Sequence, residues 1–180
     1  TLPIMSSTLY TLLNMFILPI ISLATEPDNF WDSQKGIYVQ NFKPDWEIPI
    51  NIELFENNGS DRAAFNQEAG TKVNGLYSWQ LPQKMLGIYF RKEYGAGKLE
   101  FPLFGDEGVN EFDKIDLRTS QNYSWANGGG QSIYNTMNRD VFSRESQKDM
   151  HRPYTRSRYY HLYLNGLYWG VYQTQERGEA

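Results

Sequence analysis

Asn165-Gly166 restricts this chain more than any other pair of residues. A two-residue hairpin turn needs positive φ at both central positions, and Asn-Gly is the pair that accepts it most readily. Upstream, Tyr159, His161 and Tyr163 alternate with Tyr160, Leu162 and Leu164. Downstream, Leu167, Trp169 and Val171 alternate with Tyr168, Gly170 and Tyr172. Period two on both sides of the turn predicts two antiparallel strands with one apolar face. The chain leaves them on Gln175-Glu176-Arg177 and stops at Ala180. A polypeptide ending so soon after a buried-looking hairpin is expected to have been cut within a larger unit.

With 180 residues there is room for one domain or one lobe. Aromatic residues make up 16% of the chain, a share that points to a packed, β-rich body. The net charge of −4 argues against a general nucleic-acid binder, while leaving room for a local basic cleft. Cysteine is absent, so disulfide scaffolds, thiolate zinc sites and cysteine nucleophiles are excluded. The two histidines, His151 and His161, are too few for a histidine-rich metal centre, and no Gly-x-Ser-x-Gly elbow accompanies them.

Residues 1–16 form an apolar segment with no assigned structure. Leu9 to Ala24 is mostly apolar but is interrupted by Thr11, Asn14, Pro19 and Ser22, which makes a membrane span a poor reading. The basic start of a signal peptide is missing as well. The segment 17–24 reads instead as a buried strand.

Further along, Gly36 to Val39 and Lys84 to Phe90 read as strands, and so does Trp46 to Phe55 with Ile48, Ile50, Ile52 and Leu54 on one face. Pro49 suggests a sheet edge or a strand start. Phe112 to Leu117 is one more strand. Ser120 to Ser132 is a polar loop around Gly128-Gly129-Gly130, without the Gly-Lys-Ser/Thr ending of a phosphate loop. The best helix candidate is Ser132 to Gln147, with Ile133, Tyr134, Met137, Val141 and Phe142 forming its apolar face. The expected class is α+β: a twisted antiparallel sheet covered on one side by a single main helix.

Three charged positions are candidates for chemistry. Lys84 stands at a strand start beside a polar loop, where a lysine can aim a point charge at a phosphate. Arg139 lies off the apolar stripe of the candidate helix, and Glu176 follows the hairpin on a segment that could cross between lobes. Taken singly, each also reads as an ordinary solvated charge.

Read in order, several short segments resemble the spore-coat-protein-H-like (CotH) kinase family. They are Leu18-Pro19-Ile20-Ile21-Ser22-Leu23-Ala24-Thr25-Glu26-Pro27, Gly36-Ile37-Tyr38-Val39, Trp46-Glu47-Ile48-Pro49 with Glu53-Leu54-Phe55, and Pro82-Gln83-Lys84. Arg91-Lys92-Glu93-Tyr94-Gly95, Phe101-Pro102-Leu103-Phe104, Arg139-Asp140 and the hairpin from Asn165 to Tyr172 follow. The resemblance covers residues 17–180 and implies the amino-terminal lobe of an atypical protein kinase. Such a protein uses ATP with Mg to phosphorylate serine on a protein partner, here a spore-coat or surface protein. It also implies a spore-coat, cell-surface or secreted location. By this likeness Lys84 is the lysine that pairs with nucleotide phosphates, Glu176 falls near the hinge that reads the adenine, and Arg139 flanks the cleft.

The likeness departs from the family in two places. Tyr77-Ser78-Trp79-Gln80 stands where the family usually carries small polar or basic residues, often including an arginine. No segment matches the family's catalytic and metal-binding aspartates. Asp28, Asp32, Asp106, Asp113, Asp116 and Asp149 all precede the hairpin. No catalytic base and no metal ligand is therefore assigned, and the chain is expected to be inactive alone. Two other readings compete. One is a surface carbohydrate- or protein-binding module using Trp31, Trp46, Trp79, Trp125 or Trp169. The other is a structural, pseudokinase-like part of a coat or cell envelope.

Overall fold

The computed structural model describes residues 18–176, apart from 41, 59, 77, 120–133 and 135. Nine strands are found among these residues: β1 (Ile20–Ala24), β2 (Ile48–Phe55), β3 (Phe65–Asn74), β4 (Met85–Tyr89), β5 (Leu99–Glu100), β6 (Glu111–Phe112), β7 (Lys114–Arg118), β8 (Ser157–Leu164) and β9 (Leu167–Gln175). Two short α-helices accompany them, α1 (Pro27–Trp31) and α2 (Arg139–Asp149). The expected apolar segment 1–16 lies outside the described residues.

Seven strands close into a barrel in the order β1-β2-β3-β4-β7-β9-β8, with β5 and β6 as a separate pair. This overturns the expected twisted sheet under one helix. Each strand has one apolar face, and closure buries all of those faces together while leaving no open edge. Six of the seven contacts around the barrel are antiparallel. An odd number of alternating strands must bring two parallel strands together on closing, and that pair is β1 with β8, Ile20 facing His161 and Leu23 facing Leu164. The interior is filled by Ile21, Leu23, Ile52, Leu54, Val73, Leu86, Ile88, Ile115, Leu117, Tyr160 and Leu162, all fully buried.

The helix was the wrong candidate for a cover because its chemistry is inverted. α2 begins at Arg139, seven residues later than Ser132, and residues 132, 133 and 135 lie outside the described set. Its inner stripe is Asp140, Arg144 and Lys148, spaced four apart. Arg144 is buried, whereas Phe142 is 70% exposed. The outer strand faces beneath α2 present Arg118 and Gln175, so a charged stripe docks there and an apolar one does not. Asp140 pairs with Arg118 and, at 3.0 Å, with Arg144, and Lys148 pairs with Glu107 at 2.7 Å.

One smaller expectation also changes. Gly36 to Val39 is a turn, not a strand. Its amides at Ile37 and Tyr38 bond back to the carbonyls of Asn29 and Phe30, folding it onto α1. Pro49 is the second residue of β2, the strand start that was one of its two readings; it is not on a sheet edge, since β2 pairs on both sides. The hairpin is as expected, with Asn165 at φ 48° and Gly166 at φ 79°. Its tip is tied to β1: the Asn165 amide donates to Leu23 O, and Asn165 Oδ1 accepts from the Thr25 amide at 2.9 Å. No helix among the described residues is long and apolar enough to cross a membrane.

Candidate site at the rim around Lys84

One rim of the barrel gathers the ends of β1, β3 and β7 with the starts of β2 and β4. The β1–β2 connection folds α1 and the Ile37–Tyr38 turn over it. Trp31, Tyr38 and Trp169 meet there, with Trp31 and Trp169 ring centroids 5.2 Å apart and Tyr38 edge-on to Trp169 at 5.0 Å. Such tilted and edge-to-face contacts suit the quadrupoles of the rings.

Trp169 reaches this rim through an irregularity. Leu162 pairs with Gly170 and Tyr163 with Tyr168, so Trp169 is the extra residue of a β-bulge. Gly170 carries φ 127°, and a Cβ on it would stand 2.2 Å from Gln83 Nε2. Glycine here lets the Gln83 amide reach Trp169 O at 2.9 Å, stitching the approach to β4 onto β9. The alternation in the sequence puts Trp169 on the same side as Leu167 and Val171. The bulge turns it onto the rim instead.

Lys84 stands immediately before β4. The β4–β7 ladder ends at the pair Leu86 and Leu117, with Lys84 two residues before the first and Thr119 two residues after the second. Both fall on the interior side of the alternation. Lys84 is buried, as are Thr119 and Tyr172. The Lys84 ammonium donates to the Trp79 carbonyl and lies 5.5 Å from the Tyr38 ring centroid. No carboxylate among the described residues comes within ion-pairing distance of it. Burial holds its pKa below the ordinary lysine value. The Thr119 hydroxyl is sealed from water and has no hydrogen-bond partner. Among the described residues this buried cation faces a carbonyl and an aromatic ring, and such a group favours an anion as neighbour.

Several cations at the opposite rim are matched by carboxylates. Arg158 holds both oxygens of Glu56, and Arg156 holds Glu176 at 2.8 Å. Glu107 accepts from Lys148 and, at 2.9 Å, from the Tyr154 hydroxyl. Arg156, Arg158, Glu107 and Tyr154 line a cavity of about 450 Å³ with Phe104, Glu145 and Ser157 at the opposite rim, and a second cavity of about 310 Å³ lies between Leu18, Phe55 and Asp61.

The three expected site residues are therefore dispersed. Lys84 is at one rim. Glu176 follows β9 at the other, with its carboxylate engaged by Arg156. Arg139 is exposed at the start of α2, whose next residue, Asp140, is anchored to Arg118 near the end of β7. The residues that sequence reasoning missed are Tyr38, Thr119 and Tyr172, while Trp169 was offered only as a sugar-stacking candidate. The available signal was Gly170, a glycine inside a strand where backbone or side chains must come close.

Of the five tryptophans, Trp31, Trp46, Trp79 and Trp169 pack against the core, and Trp125 lies outside the described residues. Among the described residues no three His, Cys, Asp or Glu side chains stand together as a metal site. No protein-family model matches the chain, and a search of curated proteins finds no match either.

Proposed function

We propose that this chain binds the polyphosphate of ATP at the Lys84 rim, as part of a CotH-like phosphotransferase that modifies serine on a protein partner. The observation that carries the reading is the buried Lys84 ammonium with no carboxylate beside it among the described residues. The ordered segments around it, from Ile37-Tyr38 to Trp169-Gly170, supply the family resemblance. Phosphoryl transfer is mostly positioning and neutralisation of charge on the phosphate oxygens, and a desolvated lysine contributes strongly to the second. Lys84 would face those oxygens, with the Thr119 hydroxyl, just past the end of β7, as a further neutral donor. Phosphate suits this pair of donors. The described residues offer no ligand set for the Mg that accompanies ATP, and neither a base for the serine nor a step through the metal is assigned. Binding without transfer is also what a structural, pseudokinase-like coat or envelope component would show.

Isothermal titration of the purified chain with ATP and Mg tests this. Binding is expected, with a loss of about tenfold or more, ~1.4 kcal/mol, in Lys84→Ala. Tripolyphosphate should compete and adenosine should not. Equal affinity in wild type and Lys84→Ala would overturn the reading.

A further inference from the structure

A tyrosine hydroxyl has one hydrogen and two acceptor lone pairs. The Tyr38 oxygen receives the Lys84 amide at 3.0 Å and the Trp169 indole N–H at 2.5 Å. Both of these groups are donors only, so both lone pairs are used. The Tyr38 hydrogen is then left with the Tyr172 oxygen, 3.3 Å away. The Tyr172 hydrogen in turn goes to the Lys84 carbonyl at 3.2 Å. The direction of every bond is fixed by donor count alone. The chain of bonds begins and ends on the backbone of one residue, Lys84, whose amide and carbonyl are both held.

We propose that Tyr38 is the positioning residue for Lys84: its hydroxyl ties the start of β4 to β9 and so fixes where the Lys84 ammonium stands. The proposal rests on reading Lys84 as the phosphate-facing cation. Tyr38 acts twice, through its hydroxyl on the backbone and through its ring beneath the ammonium. The groups facing that ammonium are the Trp79 carbonyl and the Tyr38 ring, with no carboxylate among the described residues. Burial raises the pKa of both tyrosines, which keeps the two hydrogens in place over the working range of pH. Tyr38→Phe retains the ring and removes the acceptor, orphaning two buried donors. Tyr172→Phe leaves the Lys84 amide bonded, frees its carbonyl and takes the acceptor from the Tyr38 hydrogen.

The test uses the whole chain labelled with ¹⁵N-lysine, its Lys84 side-chain signal identified by its disappearance in Lys84→Arg. The amine titration and the affinity for ATP with Mg are read in parallel. Tyr38→Phe is expected to shift the Lys84 titration upward toward an ordinary lysine and to weaken ATP binding about tenfold. Tyr172→Phe should produce a smaller shift in the same direction. Trp169→Phe, which keeps the bond to the Lys84 amide, should leave the titration in place. A lower melting temperature in Tyr38→Phe with unchanged Lys84 titration and ATP affinity would reduce Tyr38 to a packing residue and overturn the proposal. Should Tyr38→Phe fail to fold, the other two variants decide: a shift in Trp169→Phe with none in Tyr172→Phe overturns it equally. Full ATP affinity in Lys84→Ala would remove the nucleotide reading alone, because the titration still reports on Tyr38.

Discussion

Trp169 donates its indole N–H to the hydroxyl of Tyr38, joining two residues 131 positions apart. The bond exists because the bulge at Gly170 delivers Trp169 to the rim. Gly170→Ala should therefore act at a distance from the turn itself. Its φ of 127° strains any L side chain, and its Cβ would meet Gln83 at 2.2 Å. We expect a loss of about 1–3 kcal/mol, read as a lower urea midpoint. A red shift in tryptophan fluorescence should accompany it as Trp169 leaves its aromatic neighbours.

Lys84 sets a pH dependence of stability. Its folded pKa is lowered by burial, so between that value and the ordinary lysine value the unfolded chain binds more protons than the native one. Stability from this residue is lowest below the folded pKa and rises with pH through that window. Lys84→Met should thus be close to neutral or stabilising at pH 7, with its advantage shrinking toward pH ~10.4. Urea melts of both proteins between pH 7 and 10 measure this. A strong loss at pH 7 that persists at pH 10 would mean that the amine carries no desolvation penalty.

The buried tyrosines work the other way. Burial pushes the Tyr160 hydroxyl up to about 12. Unfolded tyrosines ionise near ~10, so above that pH the native state retains protons that the unfolded state releases, and stability falls. The ultraviolet titration of the native protein should show a fraction of tyrosines ionising late, near unfolding. Tyr160→Phe should remove part of that alkaline loss.

The helix and the barrel are separable by substitution. Phe142 is 70% exposed and Leu162 is fully buried. Phe142→Ser should change stability by no more than about 0.5 kcal/mol. Leu162→Ala should cost about 2–5 kcal/mol. Comparable losses at the two positions would restore the helix as a cover.

The charged stripe of α2 makes a further prediction. Asp140→Ala leaves Arg118 and the buried Arg144 without the carboxylate they share. A loss of about 1–3 kcal/mol is expected, and removal of the second charge in Asp140→Ala/Arg144→Leu should recover part of it. A simple sum of the two single losses would show that the shared carboxylate does not couple them.

The legible parts of this fold were the local ones. Asn165-Gly166 announced its turn, and Ile48, Ile50, Ile52 and Leu54 announced the inner face of β2, because positive φ and period two act over a few residues. Closure was not legible. The pairing of Ile20 with His161 depends on strands far apart in sequence, and no short-range pattern encodes it. The helix misled because Val141 and Phe142 look like a core stripe, while the surface it docks on, around Arg118 and Gln175, is polar. At the rim, Lys84 was readable as a strand-start cation. Its companions were not, because Tyr38 arrives from a turn that reads as a strand and Trp169 from a bulge that breaks the alternation.

The parallel seam between β1 and β8 has a kinetic meaning. The first strand waits for a partner made about 140 residues later, so most of the cylinder forms as an open curl with two raw borders. Topologies dominated by distant contacts fold slowly, on the scale of ~milliseconds to seconds. During synthesis, the curl stays open until the hairpin of β8 and β9 has emerged, because β9 links β7 to the strand containing His161.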